Sequence, residues 1–297
     1  MSDLKIGDIG LGILGRPMVV NLRRAGPPVW VWARRAESME PAMAEGAQPC
    51  ESPQEVAAQA DVTFTNVSDT PDVVEVILGE QGIVQGARPG CVVVDMSTIS
   101  PSTTRRIAAE LADKGVYLLD APVSGGEQGA VSGTLSIMVG GAEEAFQRVL
   151  PLFQVLGQNI VHVGGHGAGQ VAKACNQVLI AQTIAAVGEA FVLAKASGVD
   201  PAKVREALLG GFAGSRVLEA HGQRMLDGDY APGFKARLHK KDMRITLETA
   251  SELGIALPGA ALATQYINAL VGAGKGDLDS SAIFSLQQAL SSVGQPD

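Results

Sequence analysis

An amine and an amide stand three positions apart near the middle of the chain. Lys173 and Asn176 belong to a long Ala-rich stretch without proline, which predicts a single helix over 170–196. Residues three apart share a helix face. A lysine held among apolar side chains gives up its proton more readily than one in water, which suits acid–base chemistry, and Asn176 would orient the amine or a substrate oxygen. Periodicity alone favours the other interpretation, a lysine whose ammonium reaches solvent. The neighbouring Cys175 is expected to pack in the core.

A glycine cluster near the start of the chain has the spacing of a phosphate-binding loop. Gly10, Gly12 and Gly15 follow a short apolar run and precede a helix-like segment. The first glycine permits a tight turn, the second lets the backbone approach a pyrophosphate, and the third lets helix and strand pack closely. Ile13 and Leu14 lie inside the same loop. The alternative is an ordinary glycine turn, but the position between strand and helix predicts dinucleotide binding.

Two arginines follow the second apolar run. Nicotinamide adenine dinucleotide (NAD) sites place a carboxylate at the end of this strand, whereas Arg34 and Arg35 stand here. Guanidinium groups match the charge and geometry of a 2′-phosphate. We therefore expect NADP(H) to be preferred and NAD(H) to remain possible. The alternative is two solvated surface arginines.

A second glycine loop follows the fifth apolar run. Ser124 offers a hydroxyl, and Gly125 and Gly126 offer backbone N–H groups that a small carboxylate can approach. Composition alone favours a flexible strand-to-strand turn. Thr98 follows another strand end, where ligands of parallel sheets bind, so it is a candidate contact for the nicotinamide or its ribose.

A cationic segment over 232–242 contrasts with the rest of this acidic chain. It includes Lys241, and it would either close over a phosphate or anionic substrate or form a solvated helix start. The four histidines show no metal-ligand spacing, and we propose no metal. The three cysteines are too few and too scattered for a disulfide framework or a zinc site.

The elements that must position these residues change character near the middle of the chain. Apolar runs at 4–9, 29–32, 62–67, 91–95, 117–121, 135–139 and 160–163 alternate with helix-like segments, except that none is predicted after the sixth run. This alternation predicts an α/β, Rossmann-type domain with a parallel sheet over residues 1–163. Asp8 is unexpected in the first run, because a buried carboxylate needs a partner or a proton, and an edge position is the interpretation we adopt.

The second half is expected to be all-helical, over residues 164–297. After the long helix, Gly198 and the pair Asp200-Pro201 predict a stop and a new start. Further helices are predicted over 201–210, 215–227, 239–253, 258–273 and 279–292. Its apolar faces exceed what one small domain needs, so we expect a homo-oligomer, a dimer or a tetramer.

Composition narrows the possible partners. Lys and Arg number 23 against 31 Asp and Glu, a net charge of −8, which disfavours nucleic acid and anionic membranes. Hydrophobic residues make up 46 %, enough for a large core. No uncharged run long enough to span a bilayer and no signal peptide are recognised, and a cytoplasmic location is expected.

Taken together, these motifs resemble the β-hydroxyacid dehydrogenase family over essentially the whole chain. The segments that carry the resemblance are 10–15, 95–98, 120–126, 133–141, 169–176 and 241–242. The resemblance implies that Lys173 is the catalytic lysine and that Ser124, Gly125 and Gly126 bind the substrate carboxylate. It also implies that Asn176 positions substrate, that Thr98 contacts the cofactor, and that Lys241 closes over the site.

Some positions depart from the family pattern. Val67 and Ser68, candidate cofactor contacts, stand where the family often has Leu-Pro, and Leu14 replaces a methionine. The segments 210–221 and 232–235 look most like members that reduce tartronate semialdehyde to D-glycerate, so a small carboxylate semialdehyde is the expected substrate. The alternatives are 3-hydroxyisobutyrate or another short β-hydroxyacid, and a dinucleotide-binding sensor or scaffold without turnover.

Overall fold

The computed structural model describes residues 4–291, which form two compact units that divide between Lys173 and Ala174. The first unit contains nine strands: β1 (Ile6–Ile9), β2 (Val29–Trp32), β3 (Gln48–Pro49), β4 (Val62–Thr65), β5 (Val92–Asp95), β6 (Tyr117–Asp120), β7 (Val123–Ser124), β8 (Leu135–Gly141) and β9 (Gly157–Gly164). The predicted limits 1–163 and 164–297 for the functional domains stay a prediction.

Eight helices connect these strands, and a ninth leaves the sheet. They are α1 (Gly15–Arg24), α2 (Glu40–Ala44), α3 (Pro53–Gln59), α4 (Thr70–Leu78), α5 (Ile83–Gly86), α6 (Pro101–Ala112), α7 (Gly126–Ser132), α8 (Glu143–Leu156) and α9 (Ala168–Ala196). A short 3₁₀ turn, Ala36–Ser38, follows β2.

The sheet has the strand order of a dinucleotide-binding fold. Its first six strands lie in the order β3-β2-β1-β4-β5-β6 and all pair in parallel. The order reverses between β1 and β4, and ligands of such sheets bind at the carboxyl ends of the strands at this point. The predicted Rossmann-type architecture is confirmed.

Two details of the predicted sheet were wrong. The sheet is not wholly parallel, because β8 pairs antiparallel with β6 and with β7, while β9 pairs parallel with β8. A helix does follow the sixth run: α8 buries Phe146, Val149, Phe153 and Leu156, whose spacing is helical, and it accommodates Pro151 in its interior.

Asp8 lies at the centre of the first unit's core. It is fully buried in β1, which pairs with β2 on one side and β4 on the other, so the expected edge position was wrong. Both carboxyl oxygens lack a hydrogen-bond partner. Burial raises the pKa of Asp8 well above its ordinary value, because nothing offsets the loss of hydration.

The second unit is helical, as predicted. After α9 come α10 (Pro201–Leu209), α11 (Arg216–Asp227), α12 (Ala236–Glu252), α13 (Pro258–Gly272), a 3₁₀ turn (Ser280–Ala282) and α14 (Ile283–Leu290). The predicted cap is present, since Asp200 Oδ1 accepts a hydrogen bond from Ala202 N at 2.9 Å. The last predicted helix, 279–292, extended to a residue outside the described part of the chain.

Helix α9 is long and apolar, and it corrects the expected position of Cys175. By length and composition it could cross a membrane, although 44 % of its most apolar window is buried within the protein, and core helices of soluble proteins pass the same test. Cys175 is exposed on this helix and does not pack in the core.

Candidate functional site

The first glycine loop closes tightly at the carboxyl end of β1. Gly10 has a φ of +104°, and a Cβ there would lie 2.2 Å from the carbonyl oxygen of Asn66, directly after β4. A Cβ on Gly15 would lie 2.2 Å from the carbonyl oxygen of Gly10. Because these are backbone contacts, neither position accepts a side chain, as the spacing predicted.

Gly12 differs from the other two glycines of this loop, Gly10 and Gly15. A Cβ built on it meets nothing within 4 Å, so its backbone borders open space at the start of α1. A cleft of about 310 Å³ opens here, between the ends of β1, β2 and β4. Its lining consists of Gly10, Leu11, Gly12, Trp32, Ala33, Arg34, Arg35, Ser38, Asn66, Val67, Ser68, Asp72 and Val76.

Most predicted cofactor residues of the first unit border this cleft. Val67 and Ser68 line it, and Val67 N donates to Ser97 Oγ at 3.0 Å, which ties the β4 end to the β5 end. Ile13 is half-exposed in the loop itself, and Leu14 packs against the core as α1 begins. Thr98 lies further along, after β5, and is not among the lining residues.

A carboxylate that sequence reasoning missed enters the cleft from α4. Arg34 Nη2 lies 2.5 Å from Asp72 Oδ1, and both line the cleft with Arg35 and Ser38. The Arg34 side chain is 77 % exposed, so its guanidinium remains accessible to a ligand. The pocket therefore holds two cations and one anion where the sequence showed only the cations.

The second glycine loop is a paired strand followed by a helix start, so the interpretation as a flexible turn was wrong. Val123 and Ser124 form β7, which pairs with Ile137 and Ser136 of β8. Gly125 has a φ of +135° and Gly126 a φ of +62°, backbone conformations that favour glycine. The start of the loop is thus paired with β8, and the two glycines follow directly after this pairing.

Lys173 turns toward this loop and away from solvent. It is 7 % exposed, and its Nζ donates to the carbonyl oxygen of Val123 at 2.8 Å. The interpretation of an ammonium in bulk water, which periodicity favoured, was wrong. The structure places the amine beside the peptide group that joins Val123 to Ser124.

Two buried carboxyl groups stand at neighbouring strand ends. Asp95, the last residue of β5, accepts from Thr65 Oγ1 at 2.9 Å and from Ser97 N at 3.1 Å, while burial raises its pKa to about 6. Asp120, the last residue of β6, is its register partner. Burial also raises the pKa of Asp120, and hydrogen bonds from backbone N–H groups oppose that rise. Sequence reasoning gave neither residue a role.

The remaining predicted residues belong to the second unit and share one chain of hydrogen bonds. Asn176 Nδ2 donates to Gln177 Oε1 at 2.8 Å, and Gln177 Nε2 donates to Asp242 Oδ2 at 2.6 Å. Lys241 Nζ lies 2.9 Å from Asp242 Oδ1. Asp242 accepts only, so it fixes the orientation of both amides. Gln177 is the member that no sequence motif revealed.

Within residues 4–291, no group of three or more His, Cys, Asp or Glu side chains is arranged to hold a metal ion.

Family models match both halves of the chain. The NAD-binding domain of 6-phosphogluconate dehydrogenase matches residues 5–164, and the NAD-binding domain of NADP-dependent 3-hydroxyisobutyrate dehydrogenase matches residues 167–287. The fold and the glycine loop thus define a nicotinamide-dependent oxidoreductase.

Relatives of known sequence match nearly the whole chain. It is 47 % identical over 280 residues to 2-hydroxy-3-oxopropionate reductase of Escherichia coli (strain K12), covering 94 % of this chain and 96 % of the relative. It is 38 % identical over 293 residues to 2-(hydroxymethyl)glutarate dehydrogenase of Eubacterium barkeri, covering 98 % and 97 %.

A solved structure of a related enzyme has the same fold as this chain. The 3-hydroxyisobutyrate dehydrogenase of Mycobacterium tuberculosis with L-serine superposes with a TM-score of 0.89 at 31 % identity, covering 96 % of this chain and 99 % of that one. The chain belongs to the NAD(P)-dependent β-hydroxyacid dehydrogenase family.

Proposed function

We propose that this enzyme reversibly reduces tartronate semialdehyde to D-glycerate with NADPH, using Lys173 as the general acid. The observation that carries the proposal is the 2.8 Å hydrogen bond from Lys173 Nζ to Val123 O, which holds a buried amine beside the Ser124–Gly126 loop. The 47 % identity to a 2-hydroxy-3-oxopropionate reductase, whose substrate is the same semialdehyde, supports this choice of substrate.

The cleft of the first unit fits a dinucleotide. Gly12 leaves open space above its backbone, which a pyrophosphate would fill at the start of α1. Arg34 and Arg35 would bind a 2′-phosphate, and this supports a preference for NADP(H). When bound, the reduced nicotinamide supplies the hydride that the aldehyde carbon accepts.

The protein's own residues bind the substrate and move the proton. The hydroxyl of Ser124 and the N–H groups of Gly125 and Gly126 would hold the carboxylate, since Ser124 pairs with β8 and both glycines have the positive φ of a turn that presents N–H groups. Lys173 would give a proton to the carbonyl oxygen as the alcohol forms, and would remove it in the reverse direction. Asn176 would orient the substrate, and Lys241 would close over the cofactor.

Holding the substrate by its carboxylate would contribute much of the rate of the proposed reduction. Fixing the carboxylate at one end of a three-carbon substrate sets the distance of its carbonyl from the amine, which can lower a barrier by several kcal/mol. The second candidate substrate is 3-hydroxyisobutyrate, because a 3-hydroxyisobutyrate dehydrogenase shares the fold with a TM-score of 0.89.

We also propose that the protein is a homo-oligomer, a dimer or a tetramer. Large apolar side chains of the second unit face solvent in the single chain, and Leu179 and Leu193 of α9 are each 69 % exposed. Burial of such side chains against another copy would stabilise an oligomer. Light scattering of the purified protein tests this, and a monomer would contradict it.

An NADPH-oxidation assay tests the proposed reaction. The purified enzyme is supplied with tartronate semialdehyde, methylmalonate semialdehyde (the oxidation product of 3-hydroxyisobutyrate) and succinate semialdehyde as a longer analogue. We expect the highest kcat/KM for tartronate semialdehyde. A higher value for methylmalonate semialdehyde would favour the second candidate, and NADPH binding without turnover of any compound would indicate a sensor or scaffold.

A pair of lysine variants tests the assigned acid. Lys173→Ala is expected to lower kcat by about 10²-fold or more while the Kd of NADPH stays within about twofold. Lys203→Ala is the matched control, because Lys203 is an exposed lysine that pairs with Glu206 on the surface of α10. Near-normal turnover by Lys173→Ala would refute the assignment.

A further inference from the structure

The side chain of Gln170 spans the residue predicted to contact the nicotinamide. Gln170 Nε2 donates to the carbonyl oxygen of Ser97 at 2.8 Å, and Gln170 Oε1 accepts from Ile99 N at 3.0 Å. These two peptide groups flank Thr98. Gln170 is 1 % exposed, so both hydrogen bonds are shielded from water and a broken one is costly. The amide thereby fixes the backbone of Thr98 to the first turn of α9.

Asp120 fixes the same helix turn to the end of β6. Its Oδ1 accepts from Gly167 N at 2.8 Å, and its Oδ2 accepts from Gln170 N at 3.0 Å. N–H groups in the first turn of a helix have no partner within the helix. The fully buried carboxylate therefore satisfies two of them from outside and prevents the helix start from moving along the strand.

Two glycines, Gly169 and Gly140, allow the helix and the strands to come into direct backbone contact. A Cβ on Gly169 would lie 2.3 Å from the carbonyl oxygen of Met138 and 2.5 Å from that of Asp120. A Cβ on Gly140 would lie 2.6 Å from Asp120 Oδ1. The first turn of α9 is therefore seated on β6 and β8 with no room to rotate.

We propose that Gln170 and Asp120 are positioning residues that set the location of Lys173 relative to Thr98. Lys173 follows Gln170 by three positions, so the two side chains share a face of α9. One helix turn thus carries the amide that holds Thr98 and the amine that contacts Val123. A displacement of about 1 Å at a site of this kind can reduce turnover by about 10²-fold.

This inference rests on the proposed function, in which Lys173 transfers the proton and Thr98 contacts the cofactor. Neither Gln170 nor Asp120 contacts the reacting atoms in that scheme. Their effect would pass through the placement of the amine, so it should affect kcat more than the KM of the cofactor.

Gln170→Glu gives a readout that a purely structural role would not produce. An ionised glutamate cannot donate to Ser97 O, whereas a protonated one donates there and accepts from Ile99 N. The charged groups around it are Asp120, which accepts from its backbone, Lys173 on the next turn, and Asp95, which accepts from Ser97 N. The ratio of variant to wild-type kcat should rise as pH falls from about 8 to about 6.

Gln170→Ala removes both hydrogen bonds at every pH. Gln287→Ala is the matched control, because Gln287 is 3 % exposed and donates to Ala185 O at 2.9 Å within the second unit. Both variants should lose thermal stability. Only Gln170→Ala should lower kcat by about 10²-fold while the KM of NADPH changes little.

A labelling experiment decides the inference without turnover. Acetylation of Lys173 by acetic anhydride, followed by peptide mass spectrometry, should be faster in Gln170→Ala than in wild type and unchanged in Gln287→Ala, with exposed Lys203 as internal reference. If wild type reduces no semialdehyde, the proposed function fails, and this labelling alone decides the placement of Lys173.

Each outcome has one interpretation. A Gln170→Glu kcat ratio that rises at low pH, or that stays near one while Gln170→Ala is impaired, supports the inference, since the second result means that the acid stays protonated. A low, pH-independent ratio overturns it. Equal kcat losses in Gln170→Ala and Gln287→Ala, or unchanged Lys173 labelling, also overturn it.

Discussion

Arg34 Nη2 and Asp72 Oδ1 lie 2.5 Å apart at the cleft that would hold the adenosine end of the cofactor. The arginine follows β2 and the aspartate belongs to α4, so the ion pair joins two segments that border the same cleft. A 2′-phosphate entering this cleft would compete with Asp72 for the guanidinium and would be repelled by the carboxylate. Asp72 therefore opposes the cofactor preference that Arg34 and Arg35 favour.

Neutralising Asp72 should increase the preference for NADPH. Asp72→Asn keeps the shape of the side chain and removes the competing charge, and because the Arg34 side chain is largely exposed we expect a gain of about fivefold in the NADPH-to-NADH ratio of kcat/KM. Glu45→Gln is the matched control, since Glu45 pairs with Arg24 at the same 2.5 Å but does not line the cleft. A shift toward NADH would show that Asp72 instead holds ribose hydroxyls.

Removing the guanidinium should have the opposite effect. Arg34→Ala is expected to raise the KM of NADPH by about tenfold and to leave that of NADH within about twofold, because only NADPH carries the phosphate. Steady-state kinetics with both cofactors measure this. The prediction fails if both KM values rise together, since that would indicate a general loss of cofactor binding.

The glycines of the first loop should separate cofactor binding from stability. Gly12→Ala places its Cβ in open space, so thermal stability should stay near wild type while the KM of NADPH rises by about tenfold, because the methyl group takes the space of a pyrophosphate. Gly15→Ala is the comparison, since its Cβ would lie 2.2 Å from Gly10 O and should lower the melting temperature. Equal melting temperatures for both variants would contradict this assignment.

How much of the candidate site could be predicted from the sequence depended on the sequence separation between the residues that interact. The glycine loop was predictable because its residues are consecutive and lie between a strand and a helix. The loop at Ser124 and the lysine at 173 were predictable as candidates, but their hydrogen-bond relation spans 50 positions and decides between opposite interpretations of Lys173.

Three of the residues that were missed have partners far away in the sequence. Asp72 meets Arg34 across 38 positions, Gln170 meets Ile99 across 71, and Gln177 meets Asp242 across 65. No local pattern marks a buried polar side chain whose partner is brought to it only by the sheet order or by helix packing. Asp8 was visible as an anomaly, yet only the pairing of β1 on both sides showed that it is central.

Replacing Asp8 should stabilise the protein by an amount that grows with pH. The carboxyl is fully buried without a partner, and its pKa is raised well above the ordinary value by that burial. In the unfolded chain the group ionises above its ordinary pKa of about 3.9, whereas in the folded chain it stays protonated until the raised pKa is reached. The folded state is therefore favoured at low pH, and the free energy of unfolding falls by about 1.4 kcal/mol per pH unit between these two values.

Asp8→Val has nearly the same shape and carries no titratable group, so it removes this pH-dependent loss and the cost of an unpartnered polar group. We expect a gain of about 2 kcal/mol or more in the free energy of unfolding near pH 7, and a smaller gain near pH 4. Urea unfolding of both proteins at the two pH values measures the difference. Asp113→Val, at an exposed position after α6, is the control and should show no such growth. A gain for Asp8→Val that is equal at both pH values would mean that the carboxyl does not titrate differently in the folded chain.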